Sequence, residues 1–307
     1  MNVYIAVTPL QLISCLNLMD DIYFSHNYEG KKIPRILICA GNRVYSAYKK
    51  LKELWKDTDE VVLYYDTPDT PVDPKLLSDV DTVFSVHPSG IARQFLSVAK
   101  YSYIIDEGTF SYMPFTLEAN KKYCPGGCLP ILYQPQVYND WMHTCNTIEG
   151  ILPLLKQIFD YSCDSDSHKS EYLWCDINCE SSQIENIIQE CRKESEELGL
   201  KFVRRLHPAI KLDEEPDYIE KSSIPLEIEF LLGRPLPSFF ATVCSSSAIY
   251  YKFMLKNTPN IPTAIYINRI SDISSIMPKW FSDVRDWTCL KNFFEKCKII
   301  NESIMLR

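Results

Sequence analysis

The stretch Val3-Tyr4-Ile5-Ala6-Val7-Thr8-Pro9-Leu10-Gln11-Leu12 decides the fold. Its first five residues form a short β-rich run, and Pro9 suits the first turn of a helix, where a missing N–H costs nothing. Leu10, Ile13, Leu16 and Met19 then recur at helical spacing. A strand that passes straight into a helix opens a βα unit, and the alternation continues. Strands are predicted over 35–40, 60–65, 82–86 and 101–105, with helices over 44–55 and 91–99. This pattern belongs to the α/β class, with a parallel sheet covered on both faces.

Past Gly108 the alternation fades into a Tyr- and Pro-rich stretch, 111–141, then an amphipathic helix over 147–159 and a polar cluster at 164–170 that reads as a linker. Beyond it the pattern resumes. Strands are expected over 172–177, 201–206, 239–245 and 263–267, and helices over 181–197, 225–232, 246–255 and 286–297. The expected organisation is therefore two α/β domains, 1–163 and 164–285, followed by a terminal helical segment, 286–307, able to cross back to the first. A length of 307 residues fits two domains.

The formal charge of −8 disfavours a general nucleic-acid binder, which needs a basic stripe to displace phosphate counterions. The N-terminus has no basic region before its apolar run, and no run approaches the about 20 residues that span a bilayer. A cytoplasmic location is expected. Twelve cysteines without a secretory signal read as reduced thiols used in the core. The pairs Cys124/Cys128 and Cys175/Cys179 lack the spacing grammar of a zinc site, so no metal is expected.

Three polar clusters end apolar runs: Asp106-Glu107-Gly108, His207-Pro208 and Ser245-Ser246-Ser247. In an open α/β sheet, strand ends are where ligands sit. A carboxylate in a partly desolvated cleft has a raised pKa and can take a proton, and Gly108 permits close ligand approach. Pro208 holds His207 extended and aims its imidazole, with Arg204 and Arg205 supplying local positive charge for a phosphate. Hydroxyls where a helix begins cap it or help bind an anion. The chain lacks both a GxxxxGK[ST] loop and a GxGxxG fingerprint, which removes most support for ATP hydrolysis and dinucleotide redox chemistry. No DxD pair is present for metal-dependent sugar transfer. The clusters point to group transfer.

Taken together with Val7-Thr8-Pro9-Leu10-Gln11-Leu12, these clusters resemble the D/E-D/E-G, HP and serine motifs of bacterial sialyltransferases, in particular the lipooligosaccharide and capsule enzymes of glycosyltransferase family 52. The resemblance implies a GT-B fold, two Rossmann-like domains facing a central cleft. It also implies inverting, metal-independent transfer of sialic acid from CMP-sialic acid to a galactose-type hydroxyl, α2,3-linked, on a bacterial surface glycan. Glu107 or Asp106 would be the general base, and His207 would meet the departing CMP phosphate with Arg205 adding charge. Ser245, Ser246 and Ser247 would hydrogen-bond that phosphate. Glu227 would hold the ribose hydroxyls, and Thr8, Pro9, Gln11, Gly41 and Asn42 would line the cleft from the first domain. No cofactor is implied.

Two alternatives stand beside it: a GT-B transferase using another nucleotide sugar, and a nucleotide- or glycan-binding protein without catalysis. Self-association as a homodimer stays open. So does peripheral contact with the inner face of the plasma membrane, through Arg43, Lys49, Lys50 and Lys52 or through Lys291, Lys296 and Lys298.

Overall fold

A computed structural model describes residues 1–27, 29–86, 88, 90–105, 118, 121–129, 148–162, 170–179, 181–207, 210, 216–254, 260–271 and 284–307 of the protein. It comprises two compact units, Met1–Tyr161 and Ser162–Arg307. Each is a helix-flanked parallel sheet.

The first unit runs β1 (Asn2–Ala6), α1 (Pro9–Asp20), α2 (Ile22–Ser25), β2 (Arg35–Ala40), a 3-10 turn (Asn42–Val44), α3 (Tyr45–Leu54), β3 (Val61–Tyr65), α4 (Pro74–Leu77), β4 (Thr82–Ser85), α5 (Gly90–Leu96), β5 (Tyr101–Ile105) and β6 (Cys128–Leu129), and closes with a 3-10 turn (Ile148–Ile151) leading into α6 (Leu152–Phe159). Its strands lie in the order β3-β2-β1-β4-β5-β6, and every adjacent pair is parallel. Strand β1 is buried along its whole length, as a strand covered on both faces must be. On one face Tyr4, Phe84 and Tyr103 stand in register on neighbouring strands, with centroids 4.6 and 5.5 Å apart and near-parallel rings. Phe24 meets the edges of that stack. The opposite face, Val3, Ile5, Ile36, Ile38 and Val83, packs on Ile91, Ala92 and Phe95 of α5. Gly90 starts α5 with φ of +54°, and a Cβ there would collide with the carbonyl of Pro68, which accepts the Ile91 N–H at 2.5 Å.

The second unit runs β7 (Glu171–Cys175), α7 (Ser182–Glu197), β8 (Lys201–Arg205), β9 (Ile219–Glu220), α8 (Leu226–Leu231), β10 (Phe239–Thr242), α9 (Ser247–Met254), β11 (Thr263–Ile265), a 3-10 turn (Ile267–Arg269), α10 (Val284–Ile300) and β12 (Ile304–Leu306). Its order is β12-β11-β10-β7-β8-β9, again parallel throughout. An in-register aromatic row recurs: Tyr172 stacks on Phe239 at 4.5 Å and tilts against Phe202 at 6.0 Å. The C-terminal segment belongs to this sheet, because β12 pairs with β11 and Arg307 binds the Glu194 carboxylate at 2.9 Å.

Numbered from its own first strand, each sheet has the order 3-2-1-4-5-6 of a doubly wound fold. The chain winds outward from the first strand, then returns to its other side. This leaves a crevice at the carboxyl ends of the first and fourth strands, the place where such sheets bind ligands. In the two units that place lies beyond β1 and β4, and beyond β7 and β10.

Candidate functional site

In the second unit the crevice is lined from two adjacent strands. Strand β7 ends at Cys175 and is followed by Asp176, and the chain leaves β10 through Val243 and Cys244 into Ser245, Ser246 and α9. The ends are tied together: the Thr242 hydroxyl donates to the Cys175 carbonyl at 2.8 Å, the Ser245 N–H donates to Thr242 Oγ1 at 3.1 Å, and the Cys175 thiol lies 3.6 Å from Ser245 Oγ. Burial pushes the Cys175 thiol up to about 12, so it stays a neutral donor. The serines therefore sit at the switch point itself, held by the central strand.

The three serines have different tasks. Ser247, buried, donates its hydroxyl to Glu227 Oε1 at 2.6 Å and its N–H to Ser245 Oγ at 3.3 Å. The Ser245 and Ser246 carbonyls accept the first N–H groups of α9, from Ala248, Ile249 and Tyr250. Among the described residues no protein group meets the Ser246 N–H or its hydroxyl, and Ser245 Oγ, already accepting, keeps its own proton to donate. Ser246 and Ser245 thus present donors at a helix N-terminus, an arrangement suited to an anion. Ser247 faces Glu227, so its hydroxyl does not take the phosphate contact expected from the sequence.

Glu227 stands in the first turn of α8 and is buried. Burial raises its carboxyl above the ordinary glutamate value, against the lowering influence of the Ser247 hydroxyl, its own backbone N–H and the more distant Arg205. Buried acids with raised pKa values recur at functional sites, which makes Glu227 a candidate beside the serine hydroxyls.

Arg205 corrects a second expectation. Its guanidinium is spent inside the fold, donating to Glu220 Oε1 at 2.5 Å, Glu229 Oε1 at 2.6 Å and the Ile224 carbonyl at 2.7 Å. Arg234 completes the cluster through Glu229, Glu220 and Glu171. Arg204 is engaged as well, with Asp176 at 2.9 Å and Glu185 at 2.7 Å. Both arginines are almost fully buried against carboxylates, so neither charge is turned toward a ligand. Arg205 instead braces α8, the helix that carries Glu227.

His207 is half-buried two residues beyond β8, on the same carboxyl edge as the serines, and its carbonyl accepts the Ile210 N–H at 2.9 Å. Pro208 lies outside the described residues, as do Asp106, Glu107 and Gly108, which follow β5 directly. At the switch point of the first unit, Thr8 caps α1 by accepting the Gln11 N–H at 3.3 Å, Pro9 occupies the first turn, and Gln11 Oε1 accepts the Val7 N–H at 2.7 Å. Gly41 turns with φ of +89° after β2, and Asn42 is exposed at the start of the 3-10 turn.

Sequence reasoning missed Asp176, the residue that follows β7, whose buried carboxylate accepts from Trp174 Nε1 at 2.6 Å as well as from Arg204. The usable signal was an acid directly after the apolar run Tyr172–Cys175. No group of three or more metal-ligating side chains occurs among the described residues. Compared with protein-family models and with curated proteins, the chain matches none.

Proposed function

We propose that the protein is an inverting sialyltransferase that moves sialic acid from CMP-sialic acid to a galactose-type hydroxyl, α2,3-linked, of a surface glycan. The observation that carries the reading is the donor cradle of Ser245 and Ser246 at the switch point of the second sheet, backed by buried Glu227. In this reading the units are the halves of a GT-B enzyme, with their ligand edges turned to one cleft. Glu107 or Asp106 takes the proton of the acceptor hydroxyl as its oxygen attacks the anomeric carbon. The bond from that carbon to the phosphate oxygen breaks from the opposite face, which turns the β-linked donor into an α-sialoside. The cradle and His207 meet the charge left on the CMP phosphate, where fixed donors act most strongly. No metal is assigned a part, and Glu227 holds the ribose.

The test is CMP release by the full chain with a lactoside acceptor. Release should depend on acceptor, and Ser246→Ala and His207→Ala should each lower kcat by about 10²-fold, the usual loss of one such donor. Absence of acceptor-dependent release from folded protein would overturn the proposal, as would unchanged rates in Asp106→Ala, Glu107→Ala and His207→Ala.

A further inference from the structure

Helix α3 of the first unit carries an outer face unlike the rest of this acidic chain. Residues 43–56 hold Arg43, Lys49, Lys50, Lys52 and Lys56 against the single acid Glu53, a local +4 in a chain whose total is −8, which leaves −12 for the remainder. All five basic side chains are exposed, and among the described residues none forms an ion pair. Nearby Lys32 and Arg35, by contrast, both bind Glu60. Tyr45, Tyr48, Lys49 and Lys52 are spaced by three and four residues and share one side of the helix. There Tyr45 and Tyr48 lie 4.9 and 5.1 Å from the Tyr64 ring of edge strand β3, with the Lys49 amine 4.8 Å from the Tyr45 ring and the Lys52 amine 5.9 Å from the Tyr48 ring. Leu54 and Tyr45 are among the exposed large apolar side chains. The inner face, Ala47 and Leu51, is already buried.

We propose that this face is a docking surface for an anionic phospholipid bilayer. Its chemistry matches that occupant: unpaired ammonium groups on flexible stems reach headgroup phosphates, and tyrosine rings, apolar with a polar tip, suit headgroup depth. Because the apolar side of α3 is occupied by its own sheet, attachment is chiefly electrostatic, reversible and sensitive to salt. It does not depend on the sugar-transfer reading.

The test is co-sedimentation of the full chain with vesicles of phosphatidylcholine alone, or with about a third phosphatidylglycerol, in low and in 0.5 M salt (a screening length of only a few ångströms at that strength). Binding should require phosphatidylglycerol and fall in high salt. Lys49→Gln/Lys52→Gln should weaken it by about 25-fold, roughly fivefold for each lysine near the surface. Tyr45→Ala/Tyr48→Ala should weaken it at both salt levels. Lys193→Gln/Lys201→Gln, an equal charge change on exposed lysines of the second unit, should leave it intact. Failure to bind either vesicle, binding that ignores lipid charge, or equal losses in the two lysine pairs would each overturn the proposal. Thermal melting of each variant excludes misfolding as the cause.

Discussion

Glu227 is a buried acid whose surroundings oppose its charge. Its raised pKa comes first from burial, and its isosteric amide keeps the acceptor that Ser247 needs. The sign follows from linkage: an acid whose folded pKa lies above its unfolded value of about 4.3 binds its proton more tightly in the native state. Ionisation therefore costs stability as pH rises through and above that value. We expect Glu227→Gln to melt above the wild type at pH 8, with the gap closing as pH falls toward 4. Differential scanning fluorimetry across that range checks it, and a constant gap would remove the buried-acid account. Much of this was out of reach of the sequence. Glu227 entered from the sequence only as the ribose-binding acid that the family resemblance implies, whereas its depth and its serine partner, twenty residues on, arise only when α8 and α9 meet.

At the scale of elements, the second sheet is held beneath its site by the Arg205–Glu220–Glu229–Arg234–Glu171 cluster, which joins β7, β8, β9 and α8. Arg234 is nearly inaccessible, and removing it leaves Glu171 and Glu229 buried with less compensation. Arg234→Met should destabilise the protein by about 3–5 kcal/mol, the usual effect of breaking a buried ion pair from one side. Urea unfolding measures it, and a loss under about 1 kcal/mol would mean that the cluster is not structural. Strands β1, β2, β3, β4, β5, β7, β8, β10 and β11 were readable because each falls in an apolar run with turn chemistry behind it. Strands β6 and β9, of two residues each, and β12, of three, carry too few side chains to show a period. They exist because the edge of a neighbouring strand offers unpaired backbone groups, a tertiary cause.

For the whole molecule, the decisive measurement is which nucleotide the native state prefers. A ligand bound only by the folded protein raises its melting temperature by mass action. At 100 times its Kd, CMP should add about 2.7 kcal/mol of stability, with UDP and GDP at the same concentration adding less. A larger shift with UDP or GDP would move the donor to another nucleotide sugar while leaving the cradle in place. Among the described residues no helix is long and apolar enough to cross a membrane.

The α/β class, the longer strands and helices and the three polar clusters were determined by the sequence alone, because hydrophobic period and turn residues act over a few neighbours. The strand order, 3-2-1-4-5-6 in both sheets, and hence the site of each crevice, was decided only by the tertiary structure. So were the tasks of charged side chains. Arg205 and Ser247 read as phosphate ligands one residue at a time, yet burial beside Glu229 and Glu227 gives each an internal partner, since a charge or hydroxyl taken out of water must be satisfied by whatever the fold places against it.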